Sequence, residues 1–385
     1  MKKESQCVHA GHYHDPVTRG VNTPIFTSSS YEYLDREQIP YPRYFNTPNQ
    51  DAVVRKMCAL EGAEDGVLFS SGMAAISTTL LAFAGAGDHV VIQEEIYGGT
   101  HTFATEAFDR LGIRYSFART EADAVTGAVT PETRVIMIES PTNPLLGIID
   151  IRRVAEFARR RGIITVIDNT FATPIHQNPL ALGIDVVVHS GTKYMGGHGD
   201  LCCGIALAAR VHVERIRALG KNLGGSVNAI TCYLIERSLK TLAVRVERQS
   251  QNAASLAEFL DRHPAVRKVN YPGLAGFPGH RIAQAQMSGF GAMLSFELED
   301  RRLHASEFIR RLQLIRPAVS LGGVETIICS PAETSHARLS AEERRRIGIP
   351  DSLLRLSAGI EHVDDLMADL DQSLVARSAS THAAI

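Results

Sequence analysis

The stretch DVVVHSGTKYMGGH, Asp185 to His198, decides the fold. Its apolar run, Val186 to Val188, ends abruptly in His189, Ser190, Gly191, Thr192 and Lys193, the pattern of a buried strand that delivers a lysine to a polar rim. In open α/β sheets ligands bind beyond the carboxyl ends of the strands, so Lys193 stands where a catalytic or ligand-holding group is expected. The hydroxyls of Ser190 and Thr192 suit an anion, and the neighbouring glycines admit a ligand close to the backbone. Taken alone, Lys193 also reads as an ordinary surface-loop lysine, since lysines are mostly exposed.

Working outward from that run, Ile163 to Ile167 forms another strand and closes on Asp168. Arg134 to Glu139 forms a third, followed by the turn-rich SPTNPLLG that carries Asn143. Between these two strands Asp150 caps the helix IRRVAEFARRRG, in which Ile151, Val154, Ala155 and Ala158 share a face and Gly162 marks the end. Strand and helix in alternation predict an α/β fold with a mainly parallel sheet covered on both faces. Further upstream, Val67 to Phe69 runs into Ser70, Ser71 and Gly72, and a helix starts near Met73. The first turn of that helix presents free N–H groups and a positive dipole end, which suits a phosphate, although a plain serine N-cap explains Ser71 as well. Asn143, Asp168 and Lys193 thus all follow the carboxyl ends of expected parallel strands.

Three parts are expected along the chain. Residues 1–55 are rich in Pro, Asn, Thr and Tyr and lack periodicity until a helix begins near Asp51 and stops at Gly62; they read as an arm that packs on something else. Tyr41 and Arg43 in that arm suit an anion held by a neighbouring subunit. Residues 56–245 form the α/β domain, and residues 246–385 a smaller α+β domain built from segments such as GAMLSFELED and LLRLSAGIE. The run TCYLIERSLKTLAVRVERQSQNAASLAEFLDRHP predicts a long helix linking the two, and residues from about 374 read as a frayed tail.

A chain of 385 residues has room for a large core. Its formal net charge of -2 gives no electrostatic case for nucleic acid or an acidic membrane as partner. No apolar run is long enough for a bilayer span and no signal-peptide core follows the first residues, so a cytoplasmic enzyme is expected. The six cysteines lack the density of a disulfide framework, adjacent Cys202 and Cys203 read as small buried residues, and no metal-ligand spacing occurs.

A lysine, an aspartate, an anion cradle and an aromatic ring together suit pyridoxal 5'-phosphate. Lys193 would form the Schiff base, and Asp168 would pair with the pyridine nitrogen. Ser71, Gly72, Met73, Ser190 and Thr192 would hold the phosphate, and Tyr97 would stack on the ring. The motifs SSGMAAI, IYGGT, ESPTNP, DNTFATP, HSGTKYMGGH, SLGGVET and RLSAGIE, in this order, resemble the trans-sulfuration, or Cys/Met-metabolism, family of fold-type I pyridoxal-phosphate enzymes, over nearly the whole chain.

The resemblance implies further roles. Tyr41 and Arg43 match arm residues that reach the cofactor phosphate of a neighbouring subunit, within a homotetramer of two active-site dimers. Asn143 matches an asparagine near the cofactor's phenolic oxygen. Ser320 and Arg355 match the positions that hold the substrate α-carboxylate, and Tyr97 is the candidate proton carrier beside Lys193. The implied reaction is γ-elimination on methionine, homocysteine or cystathionine to a 2-oxo acid, ammonia and a thiol. The alternatives are γ-replacement on an activated homoserine ester, and γ- or β-elimination from another amino acid. Some positions depart from the pattern. Asn46-Thr47-Pro48 stands where Asn-Pro-Thr is usual. Val319 replaces the glutamate typical before the SLGG serine of cystathionine enzymes, which argues against a distal amine being recognised there. Gly99 replaces the cysteine common in methionine γ-lyases.

Overall fold

The apolar runs of the sequence form the middle of the larger of two sheets. In the computed structural model, which describes residues 1–299, 304–335, 337 and 340–375, strands β1 (Asp65–Phe69), β2 (His89–Gln93), β3 (Arg114–Ala118), β4 (Thr133–Glu139), β5 (Ile164–Asp168), β6 (Val186–Ser190) and β7 (Gly204–Ala208) lie in the order β1-β7-β6-β5-β4-β2-β3. From β3 across to β6 the neighbours are parallel. β7 returns antiparallel to β6, and β1 pairs antiparallel with β7, so a short antiparallel edge completes the expected parallel sheet. Val186, Val187 and Val188 are fully buried because helices cover both faces, which is why this strand reads as a continuous apolar run rather than an alternating one.

Five further strands make the smaller sheet, in the order β10-β11-β12-β9-β8: β8 (Val266–Asn270), β9 (Met293–Leu298), β10 (Arg316–Pro317), β11 (Ile327–Cys329) and β12 (Leu353–Ser357). Apart from the parallel β10–β11 pair it is antiparallel, and its strands match the expected α+β segments.

Several expectations need correction. The long helix is two, Ala229–Leu239 and Leu242–Asp261. Buried Arg245 donates to the carbonyls of Ser238 and Tyr194, at 2.9 and 2.7 Å, and Thr241 leaves helical geometry between the two helices. The expected boundary after residue 245 falls within the second of these, which packs on β8 and β9. The first residues do form structure: helix α1 (Lys3–His9) packs on helix α2 (Pro48–Glu61) and buries Cys7. Helix α2 begins before Asp51, since Gln50 Oε1 accepts from both the N–H and the hydroxyl of Thr47 and Pro48 fits the first helical position. The expected frayed tail lies outside the described residues beyond Val375. Among the described residues no helix is long and apolar enough to cross a membrane.

Candidate active site

Helix α3 (Gly72–Phe83) starts where β1 ends, and its N-cap Ser71 accepts from the N–H of Ala74 at 3.0 Å. The first N–H groups of a helix have no partner within it, so the α3 terminus is open to an anion. Gly72 is required by close approach: a Cβ there would come 2.8 Å from the Cβ of Ser190 at the end of β6. Ser71, Gly72, Met73, Ser190 and Thr192 therefore meet along one wall of a cavity of about 630 Å³.

Tyr97, Asn143, Asp168, Lys193, Val319, Ser320 and Arg355 line the same cavity. Lys193 Nζ donates to Ser320 Oγ at 2.8 Å. Burial, and secondarily the guanidinium of Arg355, pushes the Lys193 pKa below that of a free lysine. Ser320 has φ 82°, a left-handed conformation that is strained for a residue with a side chain. That conformation leaves its hydroxyl to Lys193 and its carbonyl to Arg355, whose Nη2 donates to it at 2.8 Å. Arg355 Nη1 donates to Asn143 Oδ1 at 2.9 Å, while the buried Nε has no hydrogen-bond partner among the described residues. With Asn143 Oδ1 so engaged, its amide nitrogen is the group left to donate elsewhere.

Asp168 ends β5, buried, with Oδ1 accepting from the N–H of Thr170 at 2.9 Å. Directly across the parallel register stands Glu139, also buried, whose Oε2 accepts from the Tyr97 N–H at 2.8 Å. Burial is the main reason both carboxyl groups hold protons above the usual carboxylate range, and the Asp168 charge adds to it for Glu139. Beneath these strand ends, Glu61 at the end of α2 holds His189 Nε2 at 2.6 Å and the Asn169 amide at 3.0 Å.

The raised carboxyls fix a pH dependence. Between the ordinary carboxylate range and their folded values, the folded chain binds more protons than the unfolded one, so stability falls as pH rises through that window. Replacing Glu139 with Gln removes its share of the effect. The melting temperature of cofactor-free Glu139→Gln, relative to wild type, is therefore expected to rise as pH increases above the ordinary carboxylate range. A difference that does not change with pH would rule this out.

Not every expected residue joins the cavity. Tyr41 and Arg43 are not among its lining residues: the Arg43 guanidinium lies over the rings of Tyr41 and Tyr44 and donates to the carbonyl of Lys221. Asn46 Oδ1 accepts from the Tyr41 N–H at 2.8 Å and its amide donates to the Ile39 carbonyl, so the Asn46-Thr47-Pro48 departure closes this turn and starts α2. Gly99 is also explained, because a Cβ there would come 2.5 Å from Cε1 of Tyr97 and 3.0 Å from Met73 Sδ. Cys203 is buried, but Cys202 is exposed and lines the cavity, contrary to expectation, because alternate residues point to opposite sides as the chain enters β7. Sequence reading missed Glu139 and Glu333. The first was visible as the last residue of a strand expected beside Asp168, whereas nothing in the pattern around Glu333 singles it out.

The model of the family described as Cys/Met metabolism PLP-dependent enzyme matches residues 4–375. The chain belongs to that family. Pyridoxal phosphate is accordingly its cofactor, and the open α3 terminus, the half-buried Lys193 and the buried Asp168 fit such a group. Cystathionine beta-lyase MetC of Bacillus subtilis (strain 168) is 43% identical over 375 residues, 96% of each chain. A cystathionine gamma-synthase of Mycobacterium tuberculosis (strain ATCC 25618 / H37Rv) is 42% identical over 376 residues, again 96% of each. The crystal structure of cystathionine gamma-lyase from Lactobacillus plantarum complexed with L-serine superposes with a TM-score of 0.94 at 38% identity, covering 98% of this chain and 99% of that one. The expected fold-type I architecture stands with these family members, and the expected enzyme class, a pyridoxal-phosphate-dependent carbon–sulfur lyase, agrees with the lyases among them.

Proposed function

We propose that the protein carries out γ-elimination on a sulfur-containing amino acid, methionine, homocysteine or cystathionine, releasing a 2-oxo acid, ammonia and a thiol. The observation that carries this reading is the Lys193–Ser320–Arg355 cluster, which sets a lysine amine of lowered pKa beside a buried guanidinium on one cavity wall. Bound pyridoxal phosphate supplies an electron sink for bonds at the substrate Cα.

Around it, Ser71, Gly72, Met73, Ser190 and Thr192 would hold the phosphate, Asp168 would pair with the ring nitrogen, Tyr97 would stack on the ring, and Asn143 would donate to the phenolic oxygen. Arg355 and Ser320 bind the substrate α-carboxylate, for which a planar guanidinium offers two parallel donors. The Lys193 amine, whose pKa is lowered by burial and by Arg355, takes a proton from Cα and returns one to the carbon skeleton. Tyr97 protonates the departing sulfur. Its backbone N–H donates to Glu139, which holds the chain at this point. Tyr41 and Arg43 serve a neighbouring subunit's cofactor in a homotetramer of active-site dimers, in keeping with their place away from this chain's own cavity.

The gamma-synthase relative favours a second reading, γ-replacement on an activated homoserine ester, and the beta-lyase relative keeps β-elimination open. Purified holoenzyme given methionine, homocysteine or cystathionine in turn, without added thiol, tests the proposal. Release of 2-oxobutanoate is the expected result. Pyruvate from cystathionine would instead support β-elimination, and turnover only of a homoserine ester with thiol present would support replacement.

A further inference from the structure

Five residues with ordinarily charged side chains line the cavity: Glu139, Asp168, Lys193, Glu333 and Arg355. Four have places already. Glu139 and Asp168 are buried at strand ends, and Lys193 and Arg355 both bond to Ser320. Glu333 is exposed to the cavity mouth and, among the described residues, has no ion-pair partner.

Its position is fixed by its segment. The N–H of Glu333 donates to the Ser330 carbonyl at 3.2 Å, and the Thr334 hydroxyl donates to the same oxygen at 2.7 Å. Pro331 is buried. The segment lies against the start of helix α4 (Gly98–Phe103), where a Cβ placed on Gly98 would come 3.3 Å from the Ser335 carbonyl oxygen. Glu333 is therefore carried on a turn packed beside Tyr97, in the same cavity wall system as Val319, which is 67% exposed and uncharged.

We infer that Glu333 is a specificity residue whose carboxylate receives a cationic group, an ammonium or guanidinium, at the far end of the substrate side chain. The inference rests on the proposed reading of the cavity as an amino-acid site, with the α-carboxylate directed to Arg355. It also revises the expectation drawn from Val319: a negative charge for a distal amine is present, supplied from the turn after β11. The two cations of the cavity are held at Ser320, so an incoming ammonium meets Glu333 as the exposed anion on its path. An ion pair at such an exposed position is screened by water and salt, which limits its effect to a few-fold in binding.

The test compares L-lysine with L-norleucine, which has the same carbon chain without the terminal ammonium. Dissociation constants are read on the holoenzyme from the change in cofactor absorption, for wild type and Glu333→Gln. The variant is expected to weaken lysine binding about fivefold and leave norleucine binding unchanged. Salt should erode the wild-type preference for lysine and have little effect on the variant. Norleucine binding normally while the variant moves both ligands equally, or neither, would overturn the role of Glu333 alone. If no amino acid perturbed the wild-type absorption, the amino-acid reading of the cavity would fall, and this inference with it.

Discussion

Lys193→Ala protein is expected to lose turnover by a thousandfold or more, on the order seen when the group that performs the central covalent or proton-transfer step of an enzyme is removed. Among the described residues that line the cavity, Lys193 carries the one amine, and its pKa is lowered. The two terminal nitrogens of Arg355 are engaged by Asn143 and Ser320. Borohydride treatment followed by peptide mass analysis gives a direct check. Wild type should carry the reduced cofactor on the peptide containing Lys193, and the variant on none. A variant that kept a tenth of wild-type activity, or a label on another lysine, would remove Lys193 from its proposed role.

Asp168→Asn should cost about a hundred- to a thousandfold in turnover, the usual range for losing one preorganised electrostatic partner. Asparagine keeps the shape, and its carbonyl oxygen can still accept from the Thr170 N–H, so the end of β5 should not rearrange. What disappears is the carboxylate proposed to pair with the cofactor's ring nitrogen. Cofactor retention after gel filtration, measured by absorption, should stay near wild type while turnover collapses, with KM changed much less than kcat. Undiminished kcat in this variant would show that the ring nitrogen needs no anionic partner here.

Much of this site could be read from the sequence because catalytic groups in parallel sheets sit at strand ends, and strand ends show up as apolar runs broken by polar residues. Val186 to Val188 before Lys193, and Ile164 to Ile167 before Asp168, are of this kind. Glu139 was harder. Its importance comes from standing opposite Asp168, and register between neighbouring strands is set by packing that a single sequence does not display. The break between the helices Ala229–Leu239 and Leu242–Asp261 was hidden for a similar reason, since the group that takes the Ser238 carbonyl is Arg245, which buries its guanidinium against Tyr194. Tyr41 and Arg43 could be placed in the arm by resemblance, but their separation from this chain's cavity is a property of the folded backbone. Glu333 sits on a turn without periodicity, where charge carries no structural signature.

The place of β7 has a consequence for how the active site comes into being. β1 leads into the start of α3, and β6 leads into Lys193, yet β1 and β6 are joined through β7, which follows both in the chain. The contact between Gly72 and Ser190 therefore forms only once a late strand has slotted between two earlier ones, after a long loop has been closed. The βαβ units from β2 to β6 rely on nearer neighbours in sequence and have less loop entropy to overcome. During refolding, secondary structure should thus return ahead of cofactor binding, and the lag between the two would report the moment at which β7 joins the halves of the proposed phosphate cradle.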